Sequence, residues 1–282
     1  MLGVLVSVLL ATARNIFSKN ISDAVFGKKE FFLLQCLIFS SGGIVLSFSN
    51  LSFEKMETEL ICYSLIYGIL LLMAQYGYTL ALKNGKIGIC SMVYSMGFIF
   101  PTICGSLLWE ESVNCCNIFG IALTVAMIIT CGIGNRNEQE TKNGYFLPLI
   151  TAMLSSGGLG IVQKLQQSSK YANETNLFLI LAFWFAGGVS LAIYLIVRDR
   201  MQNFKKRKLL SAALIGGAFG LSNLCNTILS GQLKAAVFFP LLNIGTIVAT
   251  VIIGVIVYKE KCTKKDIGIF AMGILAVILL KI

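Results

Sequence analysis

Apolar residues along this chain come in blocks near twenty residues long, separated by short polar punctuation. Val113 to Cys131 and Ala235 to Val257 are two such blocks. Neither shows the 3.6-residue alternation of a helix with one wet face. A helix that is apolar nearly all round belongs in lipid or in a very large core, and about twenty residues cross a hydrocarbon layer of about 30 Å. The punctuation predicts ten helices. The first five are Leu2–Ser18, Glu30–Ser49, Glu59–Leu82, Ile87–Trp109 and Val113–Cys131. The second five are Tyr145–Leu165, Thr175–Val197, Leu209–Gly231, Ala235–Tyr258 and Lys264–Leu280. The expected fold class is an all-α integral membrane protein.

Most predicted loops are short. The segment GIGNRNEQETKNG, Gly132 to Gly144, is polar, glycine-bounded and central. It divides a first five-helix unit, residues 1–132, from a second, residues 145–282, through a linker at 133–144. The two units match at slowly drifting offsets. A shift of 145 pairs Ser18-Lys19 with Gln163-Lys164, and Gly42-Gly43 with Gly187-Gly188. A shift of 148 pairs Gln75 with Asn223, Thr79 with Thr227, Lys86 with Lys234, Ser95 with Asn243 and Thr102 with Thr250. A shift of 149 pairs GSLLWEES, residues 105–112, with GVIVYKEK, residues 254–261. An odd number of helices per unit makes the second enter the membrane from the opposite face. Inverted repeats of this kind are a transporter plan with substrate held between the repeats.

Composition agrees with lipid. The chain is 56% hydrophobic and 13% charged, with a mean hydropathy of +0.82. A soluble domain carries about 25% charged residues. The first apolar block starts at Met1 without a basic leader, so it reads as a first membrane helix rather than a signal peptide. The net charge of +10 sits between the apolar blocks, so it reads as loop charge facing an anionic leaflet, not as a nucleic-acid surface. Nine cysteines and no histidine include no CxxC pair, which argues against a zinc site or a disulfide framework. No cofactor or metal is expected.

The candidate chemistry is polar residues inside apolar helices. All thirteen carboxylates fall at helix ends or in loops, so no mid-membrane proton relay is evident. Glu111 and Glu260 are the second-choice coupling residues. Helical spacing places Tyr67, Gln75, Tyr78 and Thr79 on one broad face of the third helix, and Ser91, Ser95, Phe98 and Thr102 on one face of the fourth. The eighth carries Asn223, Asn226 and Thr227, and the ninth carries Asn243, Thr246 and Thr250. Amides and hydroxyls in hydrocarbon need partners, either a cavity with substrate or a neighbouring helix. Arg14 lies about 18 Å along the first helix, past the bilayer centre. It either grips a carboxylate or phosphate in a cavity or snorkels to the interface beside Lys19. The aromatics Tyr76, Tyr78, Tyr94, Phe98, Trp184 and Phe239 offer an alternative cage for an organic cation.

The segments ALKNGKIGICSMVYSMGFIFPTICGSLLWEESVNCCNIFGIAL and ILSGQLKAAVFFPLLNIGTIVATVIIGVIVYKEKCTKKDIGIFAMG resemble paired helices of the drug/metabolite transporter superfamily, EamA-type branch. Glu111 with Gly120 and Glu260 with Gly268 fit that family's glutamate-then-glycine pattern. The chain departs from it in lacking a tryptophan in the first helix and in the placing of Pro101 and Pro240. The resemblance implies a ten-helix carrier with two inverted repeats.

The expected function is therefore transport of a small polar organic metabolite through a central cavity, by exchange or facilitated movement. The cavity would be lined by the first, third, fourth, sixth, eighth and ninth helices. The expected binding residues are Arg14, Gln75, Tyr78, Ser95, Phe98, Asn223, Asn226, Asn243 and Thr246. An organic-cation carrier and a lipid-modifying membrane enzyme are the alternatives; the lack of histidine and of paired intramembrane carboxylates argues against an enzyme. The expected partners are a small-molecule substrate and the bilayer, with the chain a monomer or a homodimer. Seventeen Lys and Arg fall in odd-numbered loops against five in even loops and the C-terminus, which predicts cytoplasmic odd loops and outside termini.

Overall fold

The structure is a computed structural model. It describes residues 2–22, 27–48, 56–108, 146–199, 206–233, 235–260 and 263–281, with scattered positions between 115 and 130. Described residues form helices without a strand. These are α1 (Leu2–Ser22), α2 (Lys28–Ser47), α3 (Thr58–Asn84), α4 (Ile87–Ser95), α5 (Ile99–Leu108), α6 (Phe146–Ser168), α7 (Thr175–Ile196), α8 (Lys206–Gln232), α9 (Ala235–Ile256) and α10 (Lys264–Lys281). A short 3-10 turn, Met96–Phe98, joins α4 to α5. Among the described residues seven stretches are long and apolar enough to cross a membrane: α1, α2, α3, the α4–α5 stretch, α6, α7 and α8. Shorter apolar stretches, Gly245–Ile256 and Ile267–Ala276, lie in α9 and α10. The linker at 133–144, and most of the predicted span Val113–Cys131, lie outside the described residues.

Large apolar side chains face outward, and the interior holds polar side chains beside its apolar core. Leu5 and Leu9 are each 60% exposed, and Ile66, Leu195, Ile252 and Ile267 also face outward. Arg14, Asn15, Gln75, Gln163 and Asn223 are buried. Water would oppose both halves of that distribution, whereas lipid accepts the outside and a bundle interior satisfies the inside. The chain is a membrane-embedded helical protein.

One predicted helix is broken. Ile87–Trp109 reads in the sequence as a single span, yet the α-helix stops at Ser95 and resumes at Ile99. Pro101 explains the position. It has no N–H to give the carbonyl four residues back, which belongs to Gly97, and its ring crowds that carbonyl. Gly97 in turn lies hard against α6: a Cβ there would clash with the Met153 carbonyl and Ser156 Oγ. Pro101 itself is the third residue of α5, where proline is tolerated.

Packing runs between the two sequence units. Helix α3 lies against α6 and α7, α2 against α7 and α8, and α1 against α8 and α9, while α4 meets α9 and α6. Glycines allow some of these approaches. At Gly216 a Cβ would overlap the Ile38 carbonyl and Ser41 Oγ, and at Gly68 it would lie 2.8 Å from the Ala182 carbonyl. The pair Gly187-Gly188 is looser: Gly187 has ordinary contacts and Gly188 has nothing within 4 Å.

Polar contacts gather at two ends. At one, Lys19 donates to the carbonyls of Leu82 (2.8 Å) and Gly85 (3.2 Å) and so caps α3. Tyr258 Oη bonds the Ile16 carbonyl and Asn20 Oδ1, and Asp199 accepts from the Lys28 N–H. Lys208 and Glu30 form a buried ion pair at this end. At the other end Lys170 meets Glu57 at 2.6 Å, and Tyr171 Oη donates to Glu57 and Glu59. The Glu57 hydrogen bond is the main cause of a raised Lys170 pKa.

Candidate functional site

A cavity of roughly 110 Å3 lies between α1, the α4–α5 break, α6, α8 and α9. Its wall comes from near the middle of these helices, for example Ser156 to Gln163 in α6 and Phe219 to Asn226 in α8. Of the sequence-predicted binding residues, Arg14, Ser95, Phe98, Asn223, Asn226, Asn243 and Thr246 line it. Gln75 and Tyr78 do not, and with them the expected lining by α3 fails. They stand behind Arg14 instead.

Arg14 is 4% exposed and does not snorkel. Its Nε and Nη2 both donate to Gln75 Oε1, at 3.1 and 2.6 Å. Gln75 Nε2 is held in turn by Ser18 Oγ (3.4 Å) and Thr79 Oγ1 (3.3 Å). The guanidinium carbon lies 4.3 Å from the Phe219 ring centre, 4.9 Å from Tyr94 and 5.2 Å from Tyr78. Cation–π contacts of this kind are each worth about 0.5–2 kcal/mol, more when water is excluded. Among the described residues no carboxylate pairs with Arg14.

Two further polar nodes frame the cavity. Asn15 Nδ2 donates to Ser91 Oγ at 3.0 Å and Thr250 Oγ1 at 3.3 Å, which ties α1 to α4 and α9. Gln163 Nε2 donates to Tyr67 Oη at 2.6 Å, and Tyr67 donates to Asn223 Oδ1 at 2.6 Å, which joins α6, α3 and α8. Thr246 bonds back to the Leu242 carbonyl, the alternative open to hydroxyls in helices. Asn226 Oδ1 is buried without a hydrogen-bond partner.

The sequence reading missed Asn15, Ser156, Gln163, Phe219 and Ser222 as cavity wall. A signal was present for two of them. Phe219, Ser222, Asn223 and Asn226 follow steps of three, one and three residues, so they share one face of α8. The stripe of Asn223, Asn226 and Thr227 runs on through both. Among the cage aromatics, Tyr94 and Phe98 reach the cavity, while Tyr76 and Trp184 are 37% and 46% exposed. The side chain of Phe239 lies outside the described residues.

Of the second-choice coupling residues, Glu260 does not line this site. Glu111 lies outside the described residues. Glu260 is at a helix end, where its Oε1 accepts the Ile87 N–H at 2.9 Å. That N–H opens α4, and a helix N-terminus favours a carboxylate. Lys259, at φ 52, makes the turn that brings Glu260 round, and the Glu260 N–H bonds the Gly254 carbonyl at 3.1 Å. Replacing Glu260 with Ala is expected to cost about 1 kcal/mol in unfolding experiments, the usual loss for a cap. Glu260→Gln keeps an acceptor and should leave the pH dependence of activity unmoved; a displaced profile would restore a coupling role.

No family model and no curated protein matches this chain. Among solved structures, one described only as "Crystal structure of protein" matches 99% of this chain and 94% of its own, with a TM-score of 0.68 and 13% identity. The two share a fold; at that identity the likeness says nothing about substrate.

Proposed function

We propose that this chain is a transporter of a small polar metabolite, built as ten transmembrane helices in two inverted five-helix repeats of the EamA-type drug/metabolite kind. The observation that carries the reading is the mid-helix cavity. It is walled by amides, hydroxyls and one buried cation inside an otherwise apolar, lipid-facing bundle. Polar groups at that depth are costly, and in membrane proteins they mark solute pathways.

The packing supports the repeat. Exchanging each helix for its repeat partner turns α1 on α8 into α6 on α3, and α2 on α8 into α7 on α3, all of which are found. Gly216 against Ile38 has a counterpart in Gly68 against Ala182, at the same 148-residue glycine offset. Thr79 bonds the Gln75 carbonyl as Thr227 bonds that of Asn223, both at 2.8 Å. Helix α1 ends where the odd-numbered loops meet, whereas α6 ends beside Lys170 at the other end. That is the opposed direction an inverted repeat requires. Alternating access would rock one unit against the other about the cavity. The charge count favours a cytoplasmic side for the end bearing Lys19, Lys28 and Lys208.

The organic-cation alternative loses support from the site. The rings that would make its cage, Tyr78 and Tyr94, already face Arg14. Counterflow of labelled small metabolites in proteoliposomes tests the proposal. Saturable solute exchange is expected. Turnover of a lipid without solute movement would replace transport by enzyme action.

A further inference from the structure

We infer that the cavity takes a small oxyanion, whose carboxylate or phosphoryl group is gripped by Arg14 and whose own hydrogen-bond donor meets Asn226. The inference rests on the transport reading and deepens it. Four observations carry it.

The first is charge. A guanidinium, which proteins do not deprotonate, sits 4% exposed with a neutral amide as its protein acceptor. Burial of a charge calls for an opposite one, and here the described protein supplies none.

The second is geometry. Of the five N–H donors of an arginine, two are spent on Gln75 Oε1, and Arg14 also lines the cavity. The remaining donors keep the planar fork that matches two oxygens of a carboxylate or phosphate. Gln75 fixes one edge of that fork without neutralising it. The aromatic rings of Phe219, Tyr94 and Tyr78 hold the plane. Gln75 is therefore a positioning residue.

The third is the orphan acceptor. Asn226 Oδ1 is buried and unpartnered on the same wall. An unmet acceptor is costly, and a ligand hydroxyl, ammonium or P–OH would meet it. The fourth is size. Roughly 110 Å3 is less than the ~150 Å3 that holds a benzene ring, so the part of the ligand held here has about six non-hydrogen atoms or fewer.

The test uses purified full-length protein, with acetate, lactate, inorganic phosphate, glycerol and choline as probes. Binding is read by thermal stabilisation and flux by counterflow in proteoliposomes. Lactate or phosphate is expected to bind and exchange, with glycerol and choline at leak level. Arg14→Lys keeps the charge but loses the fork, and should weaken anion binding about tenfold; Arg14→Gln should weaken it about a hundredfold. Asn226→Leu should weaken lactate several-fold and leave acetate, which has no donor when ionised, unchanged. Loss with lactate alone names the carboxylate source, and loss with phosphate alone names the phosphoryl source. Anion binding that survives both Arg14 variants overturns the inference. Choline or glycerol exchange without anion binding overturns it and leaves transport standing. Arg14-dependent binding without flux keeps the anion site and removes transport. Silence from every probe overturns both.

Discussion

Gly216→Ala is expected to destabilise the protein by about 3 kcal/mol or more, at the upper end of overpacking costs. The added Cβ would overlap the backbone carbonyl of Ile38 and the Oγ of Ser41. A flexible side chain could turn aside, but a helix carbonyl cannot move without moving α2. Helices α2 and α8 would have to part along their whole contact. The neighbouring residue supplies the control. At Gly217 a Cβ would meet only Val45, at 3.8 Å, and at Gly188 nothing within 4 Å. Alanine there should be neutral or stabilising by up to about 1 kcal/mol, from helix propensity alone. Unfolding in detergent, followed by tryptophan fluorescence or circular dichroism, separates the three. Equal stability of Gly216→Ala and Gly217→Ala would mean that α2 and α8 do not approach this closely.

Glu30→Leu should cost about 3 kcal/mol. Glu30 is 1% exposed and pairs with Lys208, itself 8% exposed. Glu30 sits in the first turn of α2, where the helix dipole favours an acid. Lys208 sits in the first turn of α8, where the dipole disfavours a base. Lys208 is thus in an unfavourable place that Glu30 makes tolerable. Removing the acid takes from a buried ammonium the carboxylate it meets at this end. The double variant Glu30→Leu with Lys208→Met should recover most of the loss, because a well-packed apolar pair often replaces a buried ion pair at little cost. Additive losses in the double-mutant cycle would show that the two residues act separately. Salt should alter the wild-type value little, since a buried pair is poorly screened.

The sequence revealed the helices better than their arrangement. Apolar block length located α2, α3 and α7 within a few residues, because a membrane helix must be apolar all round and of fixed length. The break in the fourth span was also legible in retrospect: Gly97 and Pro101 stand four apart, the spacing at which a proline removes a backbone bond. What was not legible is which helix each polar face meets. The stripe rule put Gln75 and Asn223 on interior faces, and both are buried. Yet Asn223 reaches the cavity while Gln75 stops at Arg14. Helical periodicity gives a direction from one axis; it contains no distance to a neighbour. Arg14 was ambiguous for the same reason. Its depth suited both a cavity and a snorkelling side chain, and the deciding fact is the ring of Phe219, more than two hundred residues away.

Glu260 shows the converse. Its partner, the Ile87 N–H, belongs to the opposite unit, so the glutamate that ends α9 also begins α4. GVIVYKEK therefore acts as a clasp between the two sequence units.

That clasp has company, and the two ends of the molecule are fastened differently. Among the described residues, the odd-loop end holds Glu260 on Ile87, Lys19 on α3, Tyr258 on α1, and the buried pair of Lys208 and Glu30. The opposite end holds Lys170 and Tyr171 on Glu57, the Lys170 and Glu57 side chains being 63% and 54% exposed. An exposed pair is screened by solvent and contributes little, while breaking a buried one costs several kcal/mol. In the carrier proposed above, opening the odd-loop side would have to part Glu260 from Ile87 and Lys208 from Glu30.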